Sequence, residues 1–159
     1  MVSKTACFTG HRNIPQSERK ALEKRLTALL ERLIDDGISY FGCGGAIGFD
    51  YLTGVTVLRL RKRYKHIKLI MVLPCHGQET KWTEEQKRDY KRLLDAADKT
   101  VYVSESYHDG CYLERNRHLV QHSAVCIAYL TNTNRSGTAQ TVRLARERNL
   151  IIYNLAEGG

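Results

Sequence analysis

The sequence predicts one doubly wound α/β domain, with a mainly parallel sheet of about six strands and helices on both faces. Two observations support this fold class. Short apolar segments alternate with longer helical patterns along the chain, and the predicted strands are apolar throughout. Strands of that kind are buried on both faces, which is typical of parallel sheets covered by helices. The length of 159 residues fits a single domain, residues 1–159.

Six segments are predicted as strands because they are short, apolar and bounded by glycine or polar residues. In chain order they are residues 5–9, 38–41, 67–73, 100–103, 124–130 and 150–154. In a parallel sheet the carboxyl ends of the strands lie along one edge, where ligands bind. The segments that follow the strands hold the densest polar and glycine content of the chain, so we expect one functional edge.

Helices are predicted between the strands from apolar spacing and from terminal signals. Apolar residues at steps of three and four, from Leu22 to Ile34, predict the first helix, and Gly37 ends it. A capping box, Thr83-x-x-Gln86, opens the third helix. The second, fourth and fifth helices are predicted at residues 51–63, 113–122 and 138–149.

Composition limits the location and the partners of the protein. No apolar run approaches the roughly 20 residues that a membrane-spanning helix needs, so no membrane association is expected. The five cysteines are odd in number and widely spaced, which favours reduced thiols in a cytoplasmic protein. The formal net charge of +8 favours phosphorylated or polyanionic ligands. Much of the excess lies on predicted helices, at residues 59–63 and 143–148, where solvated helix faces are the simpler explanation.

The segment from Phe41 to Asp50 joins the second strand to the second helix and contains four glycines. Glycine permits a close approach by a ligand, and a helix that begins after such a loop offers free N–H groups. We therefore expect a phosphate on the backbone of residues 44–48, and we expect Gly45→Val to block it with only a modest loss of folding. A tight turn is the alternative. Ile47 stands where a dinucleotide fingerprint requires glycine, and no P-loop lysine follows.

Two further features of the same edge suit an anion. Residues 134–138, Asn-Arg-Ser-Gly-Thr, place hydroxyls and a glycine at the start of the last helix, although simple capping is the alternative. Arg115 stands near the start of the fourth helix, where the helix dipole disfavours a cation, so phosphate binding or pairing with a carboxylate is expected. Neither a metal site nor a Cys–His nucleophile is expected, because metal-site spacing is absent from His11, Cys43, Cys75 and His76.

Four short motifs, taken in order, resemble the SLOG superfamily: residues 8–12, 44–50, 115–116 and 136–138. The resemblance covers nearly the whole chain and is nearest to small, stand-alone bacterial members whose function is largely unassigned. It implies a Rossmann-like fold and a homodimer. The superfamily includes the Lonely Guy phosphoribohydrolases, which cleave nucleoside monophosphates, a DNA-processing protein that loads recombinase on single strands, and proposed sensors of nucleotide-derived ligands.

The motifs define the predicted ligand- and phosphate-binding residues, which lie in loops or at helix starts along the functional edge. They are Gly10, His11, Arg12, Gly44, Gly45, Gly48, Asp50, Arg115, Asn116, Ser136, Gly137 and Thr138. Arg115 matches an arginine of the hydrolase branch, but Thr141 stands where that branch has a glutamate, and Ser136 replaces a glycine. The missing carboxylate argues against phosphoribohydrolase activity. Arg115 and Asp50 remain the candidate catalytic residues, with Glu114 a weaker one.

The expected function is therefore binding of a phosphorylated, nucleotide-type ligand by a sensor or regulatory protein, with no other cofactor. N-glycosidic hydrolysis of a nucleoside monophosphate is one alternative, and we expect no measurable release of base. Nucleic-acid binding is another alternative, suggested by the charge. Few aromatic residues interrupt the basic segments, and stacking on single strands requires them, so we expect nucleic-acid binding to be weak and sensitive to salt.

Overall fold

The computed structural model of the chain describes residues 1–131 and 136–157. Its centre is a six-stranded sheet in which every pair of neighbouring strands is parallel. In spatial order across the sheet the strands are β4 (Lys99–Tyr102), β3 (Lys68–Leu73), β2 (Tyr40–Cys43), β1 (Thr5–Gly10), β5 (Val125–Tyr129) and β6 (Ile151–Asn154). The predicted parallel α/β fold is therefore confirmed.

Helices cover both faces of the sheet. On one face lie α1 (Arg19–Asp35), α2 (Phe49–Arg61) and α3 (Glu84–Ala96), and on the other lie α4 (Cys111–Gln121) and α5 (Gly137–Glu147). Three short 3₁₀ turns complete the described elements: Val2–Lys4, Gln16–Glu18 and Leu155–Glu157. Among the described residues, every helix is too short or too polar to cross a membrane.

The larger part of the core lies under α1, α2 and α3. The apolar stripe predicted for the first helix is buried along its whole length, from Leu22 to Ile34. Phe8 of β1 stacks on Phe41 of β2 beneath it, with ring centroids 6.0 Å apart. The predicted capping box also forms, because the side chain of Thr83 accepts from the Gln86 N–H and the side chain of Gln86 accepts from the Thr83 N–H. Local sequence signals therefore correspond to local contacts here.

The second strand lies two residues later than predicted, at Tyr40–Cys43 rather than residues 38–41. Ile38 belongs to the turn after α1, since its N–H donates to Leu33 O. Gly42, expected in the loop, is instead a strand residue paired with Cys7. A side chain at Gly42 would come within 2.9 Å of Leu119, so this glycine allows α4 to approach the sheet closely.

The order of the strands reverses between β1 and β5. The chain runs outward from β1 through β2 and β3 to β4, then crosses to β5 on the opposite side of β1. At such a switch point the loops that follow the two central strands diverge and leave a crevice at the carboxyl edge of the sheet. The loop after β1 and the start of α5, after β5, flank this crevice and position the candidate site.

Candidate functional site

Nine of the twelve predicted binding residues line one cleft at the switch point, with a volume of ≈ 330 Å³. We call it the switch-point cleft. Its predicted members are Gly10, His11, Arg12, Asp50, Arg115, Asn116, Ser136, Gly137 and Thr138. Two residues of the predicted phosphate loop, Asn134 and Arg135, lie outside the described residues. The cleft therefore joins the loop after β1 to the starts of α2, α4 and α5.

The N-terminus of α5 opens into the cleft. The side chain of Ser136 accepts from the Ala139 N–H at 3.0 Å, so it caps the helix as its sequence position predicts. The N–H groups of Gly137 and Thr138, in the first turn, have no intrahelical acceptor. A Cβ atom built at Gly137 would have no neighbour within 4 Å among residues 1–131 and 136–157. The end of the helix is thus exposed to a ligand and suits an anion.

Arg115 brings a buried cation to the same cleft. Its side chain is 6% exposed and lies over the ring of Tyr112, at 5.6 Å from the centroid. Nη1 donates to Gly44 O at 2.5 Å, and Nε donates to Asn116 Oδ1 at 2.8 Å. These bonds use two of the five N–H donors of a guanidinium. The backbone and Asn116 therefore hold the fork in place, and the cleft receives an oriented cation.

Asp50 is the protein's own anion beside the glycine loop. Its Oδ2 accepts from the Ala46 N–H at 3.1 Å, and its side chain is 6% exposed. Burial raises the pKa of Asp50, and the charges of Arg115 and Arg12 and the Ala46 N–H only partly offset that rise. The N–H of Ala46, one of those predicted to bind a phosphate, therefore already donates to a carboxylate of the protein. The N–H of Phe49, the residue that follows the predicted phosphate-binding range, donates to His11 O.

The glycines of the loop serve close packing. A side chain at Gly44 would lie 2.6 Å from Arg115 Nη1 and 2.9 Å from Asp50 Oδ2, so glycine lets both charged groups approach the loop. Gly48 has φ +81°, and a side chain there would clash with the Arg12 backbone. Gly44 is absent from the lining of the switch-point cleft but accepts from Arg115 through its carbonyl, whereas Gly45 and Gly48 line a neighbouring cavity.

The surroundings of Gly45 contradict the expectation that Gly45→Val causes only a modest loss of folding. Its φ is +73°, and a side chain there would lie 2.7 Å from Leu73 and 3.2 Å from both Met71 and Tyr90. These atoms belong to the core, so Gly45→Val must disrupt packing as well as strain the backbone. The expected modest loss of folding is wrong, and this substitution does not test ligand binding.

His11 ties the two central loops together. Its Nε2 accepts from the Thr131 N–H at 3.1 Å, and its ring packs against the edge of Tyr129 with centroids 6.1 Å apart. The imidazole therefore bridges the segment after β1 and the segment after β5. Its neighbour Arg12 is exposed and lines the switch-point cleft and the neighbouring cavity.

Position 141, where the resemblance to the hydrolase branch implies a glutamate, is a threonine. Thr141 is buried, and its hydroxyl donates to Gly137 O at 2.9 Å, so it is committed to the helix backbone. The half-exposed side chain of Glu114 lies beside His108, with Oε1 at 3.4 Å from His108 Nε2. Asp50 is the remaining carboxylate among the described lining of the cleft. Within residues 1–131 and 136–157, no group of three or more His, Cys, Asp or Glu residues is arranged to hold a metal.

Sequence reasoning missed two features of the site. Tyr112 lines the cleft one helical turn before Arg115 and covers its guanidinium. An aromatic residue three positions before a predicted phosphate-binding arginine was the available signal. The second feature is the neighbouring cavity of ≈ 520 Å³, whose walls come from the glycine loop, α1, α2 and α3. It has no local signal, because its aromatic residues are far apart in the chain.

Solved structures with the same fold include two DNA processing proteins. DNA processing protein A from Helicobacter pylori, described with its single-stranded DNA binding mode, superposes with a TM-score of 0.66 at 20% identity, covering 95% of this chain and 64% of that chain. DprA from Streptococcus pneumoniae gives a TM-score of 0.64 at 17% identity, covering 96% and 50%. At these identities the likeness concerns the fold.

Sequence comparisons point to a bacterial family. The uncharacterized SPbeta prophage-derived protein YoqJ of Bacillus subtilis (strain 168) is 30% identical over 139 residues, which cover 79% of this chain and 81% of that protein. UPF0398 protein BH1768 of Halalkalibacterium halodurans is 30% identical over 116 residues, covering 72% and 59%. The chain thus spans between half and two thirds of the UPF0398 relative and of the DprA chains. Because the model of the YspA SLOG family (YpsA) matches residues 7–151, the chain belongs to that family.

Proposed function

We propose that the protein binds a phosphorylated, nucleotide-type ligand in the switch-point cleft and acts as a sensor or regulatory protein. The observation that carries the proposal is that the open N-terminus of α5 and the buried fork of Arg115 line the same cleft. A phosphate there accepts from the N–H groups of Gly137 and Thr138 and from the guanidinium. The cleft volume lies at the lower end of the range typical of small-molecule sites.

Binding without hydrolysis is the better-supported version of this function. Cleavage of an N-glycosidic bond builds positive charge on the ribose, and a carboxylate usually stabilises that charge or activates water. Thr141 supplies no carboxylate at the position where the hydrolase branch has one. Asp50 is already hydrogen-bonded to the glycine loop. We therefore expect no measurable release of base from nucleoside monophosphates.

Thermal-shift and calorimetric titration with nucleoside monophosphates tests the proposal. Gly137→Val adds a side chain at the open end of α5, where an added Cβ meets no described atom within 4 Å, and Arg115→Lys keeps the charge but removes the fork. We expect each variant to bind about tenfold to a hundredfold more weakly than the wild type, the scale of a lost charge-assisted hydrogen bond. Gln140→Ala, exposed on the next turn of α5, is the matched control and keeps full affinity.

Equal affinity in the wild type and in Gly137→Val would contradict this placement of the phosphate. Chromatography of the same mixtures, incubated for hours at high protein concentration, tests the hydrolase alternative. Free base that appears with the wild type and disappears in Asp50→Asn, while that variant still binds nucleotide, would make the protein a phosphoribohydrolase.

Nucleic-acid binding is the second candidate function. Two observations favour it: the net charge of +8 and a fold shared with a DNA processing protein whose single-stranded DNA binding mode is described. The most basic segment argues against it, because Arg61 pairs with Asp98 at 2.7 Å and Arg63 pairs with Glu31. We expect weak binding that falls steeply with salt. Submicromolar affinity for single-stranded DNA at physiological salt would make nucleic acid the primary ligand.

We also propose that the protein is a cytoplasmic homodimer. All five cysteines are free and buried, which fits a reducing compartment. Two helices cover the second face of the sheet, and Ile70, Val103 and Ile152 on that face are only partly buried. The edge residue Ile151 is 58% exposed. Light scattering at micromolar concentration is expected to give the mass of two chains, and the mass of one chain alone would refute the dimer.

A further inference from the structure

A second cavity adjoins the switch-point cleft on the other side of the glycine loop. Its volume is ≈ 520 Å³, and it lies between that loop, the start of α1 and α3. Arg12 and Ala46 line both cavities, so the two spaces adjoin at these residues. The function proposed above uses the first cavity alone and leaves this one unassigned.

The second cavity has aromatic walls. Trp82, Tyr90 and Tyr51 line it, together with the buried Leu93. Trp82 meets Tyr90 edge to face, with ring centroids 5.2 Å apart. Three aromatic side chains around a cavity provide stacking and edge contacts for a flat ring. A heteroaromatic group is thus the ligand that the walls fit best.

Charged side chains line this cavity and determine which hydrogen-bond donors and acceptors a bound ring needs. Asp89 and Glu85 are one turn apart on α3 and both line the cavity. Arg19, at the start of α1, also lines it, and its Nε lies 3.5 Å from Glu23 Oε1. Burial and the neighbouring Asp89 carboxylate raise the pKa of the Tyr51 phenol. A carboxylate accepts two N–H bonds side by side, and a guanidinium donates to a carbonyl oxygen.

We propose that this aromatic cavity holds the base of a nucleotide whose phosphate lies in the switch-point cleft, and that the base is guanine. The inference rests on the function proposed above. Guanine presents two adjacent N–H donors, N1–H and N2–H₂, for the Asp89 carboxylate, and its O6 accepts from Arg19. Adenine presents one donor on the corresponding edge, and hypoxanthine lacks the amino group. Recognition of guanine follows from the complementary order of donors and acceptors.

The fluorescence of Trp82 reports directly on this cavity, because it is the only tryptophan of the chain. GMP is expected to change that fluorescence on binding. Ribose 5-phosphate, which carries the phosphate without a base, is expected to raise the melting temperature while leaving the fluorescence unchanged. We expect GMP to bind at least about tenfold more tightly than IMP or AMP, the scale of one bidentate base contact.

Asp89→Asn tests the specificity. The asparagine amide can donate an N–H to the C2 carbonyl of xanthine, which replaces the amino group of guanine, while its oxygen accepts from N1–H. The variant is expected to lose about tenfold to a hundredfold in affinity for GMP and to gain affinity for XMP. Asp95→Asn is the matched control, since Asp95 lies on the same helix, outside the cavity, paired with Lys91. It keeps the preference of the wild type.

The outcomes separate this inference from the function on which it rests. If ribose 5-phosphate and all nucleotides bind in an Arg115-dependent manner, with no response of Trp82 and no preference among bases, the phosphate site stands and the guanine cavity is refuted. If none of these compounds binds, both proposals fall. A response of Trp82 to GMP that is lost in Asp89→Asn and kept in Asp95→Asn establishes the cavity as the base site.

Discussion

At the scale of single residues, Asp50 is the most informative group of the site. It is buried, its pKa is raised, and it lies beside Arg115 with one hydrogen bond to the glycine loop. Because the pKa of Asp50 is raised, the fold favours the neutral form of this side chain over the carboxylate. Ionisation of Asp50 therefore lowers the free energy of unfolding. Residues that are kept at a cost to stability are typical of functional sites.

Asp50→Asn is therefore expected to stabilise the protein at neutral pH, by about 0.5–2 kcal/mol, the usual size of a single stabilising substitution. The cost of ionisation is present above the folded pKa of Asp50. It disappears as pH falls towards the ordinary value of 3.8. The difference between variant and wild type should accordingly shrink with acidification. Urea denaturation of both proteins across this pH range measures it.

Asp95→Asn removes an exposed carboxylate paired with Lys91 and serves as the control, with little effect at any pH. If Asp50→Asn is less stable than the wild type throughout, the hydrogen bond from Ala46 and the charge of Arg115 outweigh the cost of burying Asp50. The interpretation of Asp50 as a costly functional carboxylate would then be wrong.

At the scale of elements, the glycine loop is a packing device between the loop after β1 and the core. Gly45→Ala should destabilise the protein by about 1–3 kcal/mol beyond backbone strain, because the added carbon meets Leu73 at 2.7 Å. Gly37→Ala is the matched control. Gly37 also has positive φ, at +107°, but an added carbon there has no neighbour within 4 Å in the described part of the chain. Urea denaturation of the two variants separates overpacking from strain, and equal losses would refute the packing role.

The same elements mark what was predictable from the sequence. The capping box at Thr83 and the leucine stripe of α1 depend on residues three or four apart, so their pattern is visible in the chain. The roles of the glycines depend on distant partners, such as Leu119 against Gly42 and Arg12 against Gly48. Spacing along the chain cannot supply such contacts. The sequence predicts a phosphate on the N–H groups of this loop, whereas in the structure the N–H of Ala46 donates to the side chain of Asp50.

At the scale of the whole molecule, the topology explains why the site residues meet. Parallel strands align their carboxyl ends, so the sequence alone predicted that the loops share one edge. The reversal of strand order between β1 and β5 was not predictable from periodicity, and it selects which loops border the cleft. Nine of the twelve predicted residues line that cleft. The neighbouring aromatic cavity was not predictable, because Tyr51 of α2 and Trp82, just before α3, reach the same cavity only in the folded chain.

The net charge also has an explanation at this scale. Basic residues at the end of α2 bind neighbouring elements: Arg59 donates to Thr27 Oγ1, and Arg61 donates to Ala96 O and Asp98. These contacts join α2 to α1 and to the segment before β4. Part of the charge that suggests nucleic acid is thus used within the fold, whereas Arg115 delivers its charge to the switch-point cleft.

The central claim is that a ligand phosphate is bound by the N-terminus of α5 together with Arg115. Titration of the ¹⁵N-labelled protein with GMP, followed by NMR, tests it most directly. The account predicts that the amide signals of Gly137 and Thr138 and the side-chain Nε–H signal of Arg115 shift together, with one saturating dependence on GMP. Shifts confined to the basic end of α2, or signals of Gly137 and Thr138 that stay unchanged while GMP binds, would contradict it.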